Sequence, residues 1–299
     1  MTDETLASVN GIELCYRTHG DPSGEPLLLV MGLGAQLTAW PIELCEAFVD
    51  RGFFVITYDN RDVGRSTKLD HFELDFLPAF LAAQRGEAIE VPYLLTDLAA
   101  DAMGLLDLLG IDSAHVVGAS MGGMIAQTIA IEHPTRVRTL TSVMSTTGEP
   151  EVGQPDPEAM QALLRPPAAD RAEAIASGLE TRKLIGSAEH FDEDVARQAL
   201  EAAYDRCYHP PGMARQLLGI VASGSRADGL RSITVPTLVV HGDCDRLVTP
   251  SGGARTAELI PGAELLVLAG MGHDLPLAYV PQVVDAVTAL AARSAAPSA

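Results

Sequence analysis

Residues 113–134, SAHVVGASMGGMIAQTIAIEHP, carry a short apolar run, Ala114 to Val117, straight into a helical pattern. The junction is Gly118-Ala119-Ser120-Met121-Gly122, which is G-x-S-x-G in a strand–turn–helix setting. Such a turn holds its serine in a strained backbone geometry at the top of a sheet. Side chains two residues before or after the serine would collide with the turn, so glycine belongs at 118 and 122. The helix that follows aims its N-terminal amides and positive dipole end at whatever lies beside Ser120. A serine placed this way can attack a carbonyl carbon.

A serine nucleophile needs a base, and the base needs an orienting acid. Two segments downstream of Ser120 could supply them. Pro236 to Pro250, PTLVVHGDCDRLVTP, supplies a β-branched strand, Thr237 to His241, that ends in Gly242-Asp243-Cys244-Asp245. Carboxylates leaving the C-terminal end of a strand stand where ligands bind in doubly wound sheets. Both Asp243 and Asp245 are candidates; Asp245 is favoured because its extra loop residues clear the strand end. Ala263 to His273, AELLVLAGMGH, supplies a strand and a glycine loop ending in a histidine. His273 lies 28 residues beyond Asp245. That gap holds one crossover helix, Gly252 to Ile260, and one strand, so the two side chains stand on neighbouring strand ends. A histidine suits proton shuttling at this place. His115 and His241 read as strand packing residues, and His133 as a helix-end residue. His19, His71, His190 and His209 read as lying in loops or near helix ends, with no partner in the sequence.

An oxyanion needs two backbone donors. Met121 follows the nucleophile. The second candidate is Leu33, in the Met31-Gly32-Leu33-Gly34 loop after the apolar strand Pro26 to Val30. Trp40, Met144, Leu184 and Leu217 are candidate walls of a substrate pocket, alongside Phe80, Leu81, Met160, Met213 and Leu218.

Taken together, these pieces resemble the α/β-hydrolases of the esterase–haloperoxidase–lactonase group. The match includes Tyr58-Asp59-Asn60-Arg61-Asp62-Val63-Gly64-Arg65-Ser66, similar to that family's D-x-R-G-x-G-x-S turn. The resemblance implies that the acid is the fourth residue of G-x-x-D, Asp245. Two departures stand out: Met31 replaces the usual histidine of the oxyanion loop, and Asp62 replaces a glycine. Both variants, with Met271-Gly272-His273, resemble the anthracycline methylesterases.

The chain has 299 residues, 47% hydrophobic and 20% charged, as in an ordinary globular protein. Its net charge of −20 argues against nucleic acid and anionic membrane surfaces, which demand basic patches. Cys15, Cys45, Cys207 and Cys244 are scattered, with no C-x-x-C and no metal-ligand spacing. They read as reduced thiols of a cytoplasmic protein, and Cys244 as a packing residue. The N-terminus, MTDETLASVNG, lacks signal-peptide features. No apolar run is long enough to span a bilayer. No metal or cofactor is expected, and the chain is expected to be a monomer or homodimer.

Along the chain, residues 7–18 read as an edge strand or hairpin, 41–51 and 95–109 as helices, and 53–58 and 137–144 as strands. Residues 67–93 read as an irregular connection, and ARSAAPSA at the end as a fraying tail. Alternating strands and helices predict an α/β protein with a mostly parallel, doubly wound sheet. From about residue 147 prolines punctuate the chain and three helical segments follow: Arg171 to Ile185, Asp192 to Cys207 and Pro211 to Ala222. The expected division is a core of residues 1–146 and 233–299 with a helical cap of 147–232. The expected activity is hydrolysis of carboxylic esters of apolar small molecules through an acyl-enzyme. The same pieces would also serve a thioesterase, lactonase, C–C hydrolase, hydroxynitrile lyase or perhydrolase, or an inactive ligand-binding homologue. An aspartate at 120, as a dehalogenase or epoxide hydrolase would want, is absent.

Overall fold

The strand that ends in Ser120 runs through the middle of the molecule. The computed structural model describes residues 1–294. In it β5, Ala114–Ala119, is buried at every position. It is flanked by β3, Glu25–Val30, and β6, Val137–Val143, in parallel register. Strands buried on both faces need continuous apolar runs, and LLLV and HVV supply them. The remaining strands are β1 (Thr5–Val9), β2 (Ile12–His19), β4 (Phe53–Tyr58), β7 (Thr237–Gly242) and β8 (Glu264–Leu268). They complete an eight-stranded sheet of order β1-β2-β4-β3-β5-β6-β7-β8. The β1–β2 hairpin and the β2–β4 pair are antiparallel; all other pairs are parallel. The expected hairpin and the mostly parallel, doubly wound sheet are both present.

Helices cover both faces. On one, α3 (Leu95–Leu108) and α4 (Met121–Glu132) press Leu98, Leu105, Leu106, Ile125 and Ile129 onto Leu28, Ile56 and Val116. On the other, α1 (Ile42–Asp50) and the C-terminal α11 (Val280–Ser294) press Leu44, Phe48, Val283 and Val287 onto Leu27, Val55 and Val240. Each such fully buried side chain contributes roughly 1.5–3 kcal/mol. Helix α11 corrects the expected fraying for residues 292–294; residues 295–299 lie outside the described residues.

Two further corrections concern the connections. Residues 67–93 contain a helix, α2 (Phe76–Gln84), whose sequence FLPAFLAAQ lacks the alternation of polar and apolar faces that marks a surface helix. Between β6 and β7 lie five helices rather than three: α5 (Pro157–Leu163), α6 (Arg171–Ile185), α7 (Glu193–Arg206), α8 (Pro210–Ser223) and α9 (Ala227–Leu230). The first and last are too short to show a period. Helix α10 (Pro250–Leu259) crosses from β7 to β8. Helices α6 and α7 pack through Ile175, Leu179 and Ala196. Helix α8 meets α2 through Phe80, Leu217 and Leu218, and Leu33 joins that cluster. Among the described residues no helix is long and apolar enough to cross a membrane.

Candidate active site

Ser120 sits at φ 56°, ψ −120°, between β5 and α4. Two glycines permit this turn. A Cβ on Gly118 would lie 2.0 Å from the Gly122 carbonyl oxygen, and one on Gly122 would lie 1.9 Å from that of Val30. Both obstacles are backbone, so neither position can yield. The expected collision is thus present, with the turn's own backbone at Gly118 and with that of β3 at Gly122.

Strands β7 and β8 are neighbours, and each delivers one side chain to this turn. His273 Nε2 lies 2.9 Å from Ser120 Oγ, and His273 Nδ1 lies 2.7 Å from Asp245 Oδ2. An ionised carboxylate only accepts, so Nδ1 carries the proton and Nε2 is left to accept from the serine hydroxyl. Asp245 is fully buried and the His273 side chain is 8% exposed. The other Asp245 oxygen accepts the Leu247 and Val248 amides, each at 2.9 Å. Burial pushes the Asp245 carboxyl up, but its contacts with His241 and His273 and the Val248 amide outweigh this. It is held below its ordinary value and stays ionised. Asp243 turns the other way and accepts the Gly270 amide at 2.7 Å.

Since β3 pairs directly with β5, the Met31–Gly34 loop lies against the serine. A Cβ on Gly32 would fall 3.0 Å from Ser120 Cβ. Leu33 follows at once, and Met121 opens α4. The Gly34 amide is taken by Gln216 Oε1 of α8 at 2.8 Å.

The candidate pocket residues separate. Leu217 is buried with Leu33, Phe80 and Leu218. Leu184 is half-buried on α6, two residues before Gly186. Met144, at φ 42°, is buried in the layer beneath β6. Trp40 is buried in that same layer and borders a groove with Arg17, His19 and Thr57. Met213 packs on Gly34.

Several contacting residues had no signal in the sequence. His241, read as packing, donates from Nε2 to the Val248 carbonyl at 2.8 Å and lies 3.5 Å from Asp245. It thereby holds the turn whose amides cradle the carboxylate. Residues 185–187, at the end of α6, bind the histidine loop; this pairing spans 87 residues and no local pattern announces it. His19 ends β2 and is buried, not in a loop. His209 has partners, Asp70 at 3.0 Å and Arg215 at 3.2 Å. Cys244 is exposed, and so is not a packing residue.

The Asp59–Ser66 turn explains its own departure. Asp62 has φ 69° and is fully buried, and both its oxygens receive Arg215 of α8, at 2.7 and 2.8 Å. Tyr93 and the Leu69 amide complete its shell. Asp59 likewise accepts Arg206 of α7 and the amides of Leu37 and Arg65. Two carboxylates of one turn thus bind two helices of the β6–β7 insertion. Among the described residues no three His, Cys, Asp or Glu side chains converge on a metal-sized site.

The sequence matches the family described as alpha/beta hydrolase fold over residues 25–277. It is 33% identical to rhodomycin D methylesterase of Streptomyces peucetius, covering 90% of this chain and 92% of that one. It is 29% identical to a 2-hydroxy-6-oxononadienedioate/2-hydroxy-6-oxononatrienedioate hydrolase of Burkholderia vietnamiensis, covering 88% and 86%. A meta-cleavage product hydrolase from Pseudomonas fluorescens superposes with a TM-score of 0.76 at 20% identity, covering 97% and 98%. The methylesterase resemblance read from Met31-Gly32, Asp59–Ser66 and Met271–His273 is borne out by the likeness to rhodomycin D methylesterase.

Proposed function

The chain belongs to the α/β-hydrolase family, and from that membership we propose that it is a carboxylic ester hydrolase acting through a Ser120–His273–Asp245 triad. The observation that carries this reading is the unbroken hydrogen-bonded line from Ser120 Oγ through the His273 ring to a buried, ionised Asp245. The methylesterase relative supports the choice of ester.

In this reading Ser120 Oγ attacks the acyl carbon while its proton passes to His273 Nε2. Charge builds on the former carbonyl oxygen, and the Leu33 and Met121 amides hold it; one such donor is worth about 2.7–4 kcal/mol of barrier. Asp245 stabilises the imidazolium and keeps Nδ1 protonated. The tetrahedral species collapses, and Nε2 returns the proton to the departing alcohol. Water then gives a proton to Nε2 and attacks the acyl-enzyme, which releases the acid and frees Ser120.

Residues 147–232 are proposed as a cap on a core formed by 1–146 and 233–299. The apolar cluster of Leu33, Phe80, Leu217 and Leu218 adjoins the proposed oxyanion loop and carries no charge, which suits an apolar acyl or alcohol group. Leu184, Trp40 and Met144 are proposed as more distant walls.

The test is hydrolysis of p-nitrophenyl esters, acetate to palmitate, by wild type and Ser120→Ala. Wild-type turnover that falls on the order of 10⁶-fold in the variant is expected for loss of such a nucleophile. Turnover that survives Ser120→Ala would overturn the triad. A wild type that leaves every ester intact but cleaves a C–C bond would overturn the ester assignment alone.

A further inference from the structure

His273 hangs from a loop, Ala269-Gly270-Met271-Gly272, that has little stiffness of its own. One side of the loop is held by the core. The Asp243 carboxylate takes the Gly270 amide, the Met271 carbonyl takes the Cys244 amide, and Tyr279 donates to the Ala269 carbonyl. These ties all stop short of the histidine. From residue 272 to 274 the ties run instead to the end of α6. The His273 amide donates to the Ile185 carbonyl at 2.6 Å. The Gly272 amide donates to Ser187 Oγ at 2.9 Å. Ser187 gives its own hydroxyl and amide protons to Asp274 Oδ1, at 2.5 and 3.0 Å.

Ser187 is fully buried, and its hydroxyl is used in both directions, accepting from the residue before His273 and donating to the residue after it. The backbones are in direct contact at this point. A Cβ on Gly272 would lie 2.4 Å from the Gly186 carbonyl carbon and 2.5 Å from the Ile185 oxygen. A Cβ on Gly186 would lie 2.9 Å from the Asp274 carboxylate. The two strands of chain are therefore locked in one relative position.

We propose that Ser187, together with Asp274, is a positioning residue that registers His273 against Ser120 and Asp245, so that an element of the β6–β7 insertion fixes the place of the base. This rests on His273 being the base of the proposed reaction. The Ser187 side chain bonds Gly272 and Asp274 rather than Ser120, and it acts by fixing the histidine backbone on both sides. A misplacement of about 1 Å in such a constellation costs about 10²-fold in rate.

The experiment compares wild type with Ser187→Ala, Asp274→Ala and Asp274→Asn. Two quantities are read: kcat and KM on a p-nitrophenyl ester, and the low-field proton resonance of His273 Nδ1–H in substrate-free enzyme, assigned by its loss in Asp245→Asn. Ser187→Ala and Asp274→Ala are expected to lower kcat up to about 10²-fold with KM unchanged. They are also expected to broaden the resonance. Asp274→Asn keeps the accepting Oδ1 and should retain both readings. If no ester is turned over by wild type, the ester reading fails, yet the resonance still reads the lock. An unchanged resonance and kcat in Ser187→Ala or Asp274→Ala, with only a lowered melting temperature, would make the contact merely structural and overturn the proposal. Should Ser187→Ala fail to fold, half-buried Asp274→Ala carries the same test.

Discussion

At Ser120 the backbone departs from what an L-residue tolerates easily. A non-glycine residue at φ 56°, ψ −120° stores about 1–3 kcal/mol that the surrounding strand and helix impose. The usual ranking of alanine over glycine should therefore invert here. Ser120→Ala and Ser120→Gly lose the same hydroxyl, but only glycine relieves the strain, against its backbone-entropy cost of about 0.5–1 kcal/mol. Ser120→Gly is expected to be the more stable of the two by roughly 1 kcal/mol in denaturant unfolding. An Ala variant as stable as the Gly variant would mean that the turn is unstrained. The G-x-S-x-G spacing made this residue legible, although the carbonyl that excludes a Cβ at Gly122 belongs to Val30 on the neighbouring strand β3. Asp245 was favoured over Asp243 on loop length; in the fold Asp245 meets the His273 ring while Asp243 takes the Gly270 amide of the same loop.

The elements of the insertion are bound to the core by charge as well as by packing. Arg215 of α8 and Asp62 form a bidentate pair with both partners buried. Removing one partner strands the other, so Arg215→Met should cost about 3–5 kcal/mol. Asp62→Asn keeps an acceptor for the Leu69 amide and suits the positive φ. The double variant Asp62→Asn/Arg215→Met is then expected to regain much of that loss. Chemical denaturation of the three proteins measures it; a double variant less stable than Arg215→Met alone would show that the charge on Asp62 is not the cost. In the sequence Asp62 was only an unexplained departure from a family turn. Its partner lies 153 residues away, and no period or spacing connects them. Helix α2 escaped notice for a different reason: apolar residues on all sides give no helical period to detect.

Over the whole molecule, acid stability should be shaped by histidines folded into the sheet in their neutral form. Burial, and then the charge of Arg138, push His115 down to about 4; Glu25 opposes this weakly. Its ring is held by Thr139 and packs edge-on against Phe53. Burial lowers His19 to about 4 as well. Above the ordinary value of 6.5 neither folded nor unfolded chain carries these protons. As pH falls from 6.5 toward 4 the unfolded chain takes them first, so native stability declines across that window. Asp245 adds a further loss only below its ordinary 3.8, as its depressed carboxyl is protonated. The melting temperature of His115→Gln is expected to fall less steeply between pH 6.5 and 4 than that of wild type. Equal slopes would assign the acid limb to other groups.

The sequence alone determined the sheet, its crossovers, the serine turn and the order of serine, acid and histidine. Each follows from hydrophobic period, from glycine where a Cβ has no room, or from spacing between consecutive strands, and the period and the spacing act over short stretches of chain. Tertiary structure alone decided why Asp62 stands where a glycine is usual and that residues 185–187 hold the histidine loop. Those contacts join segments far apart in the chain. Their energy comes from burying paired charges and satisfying backbone amides, and neither leaves a mark on local sequence.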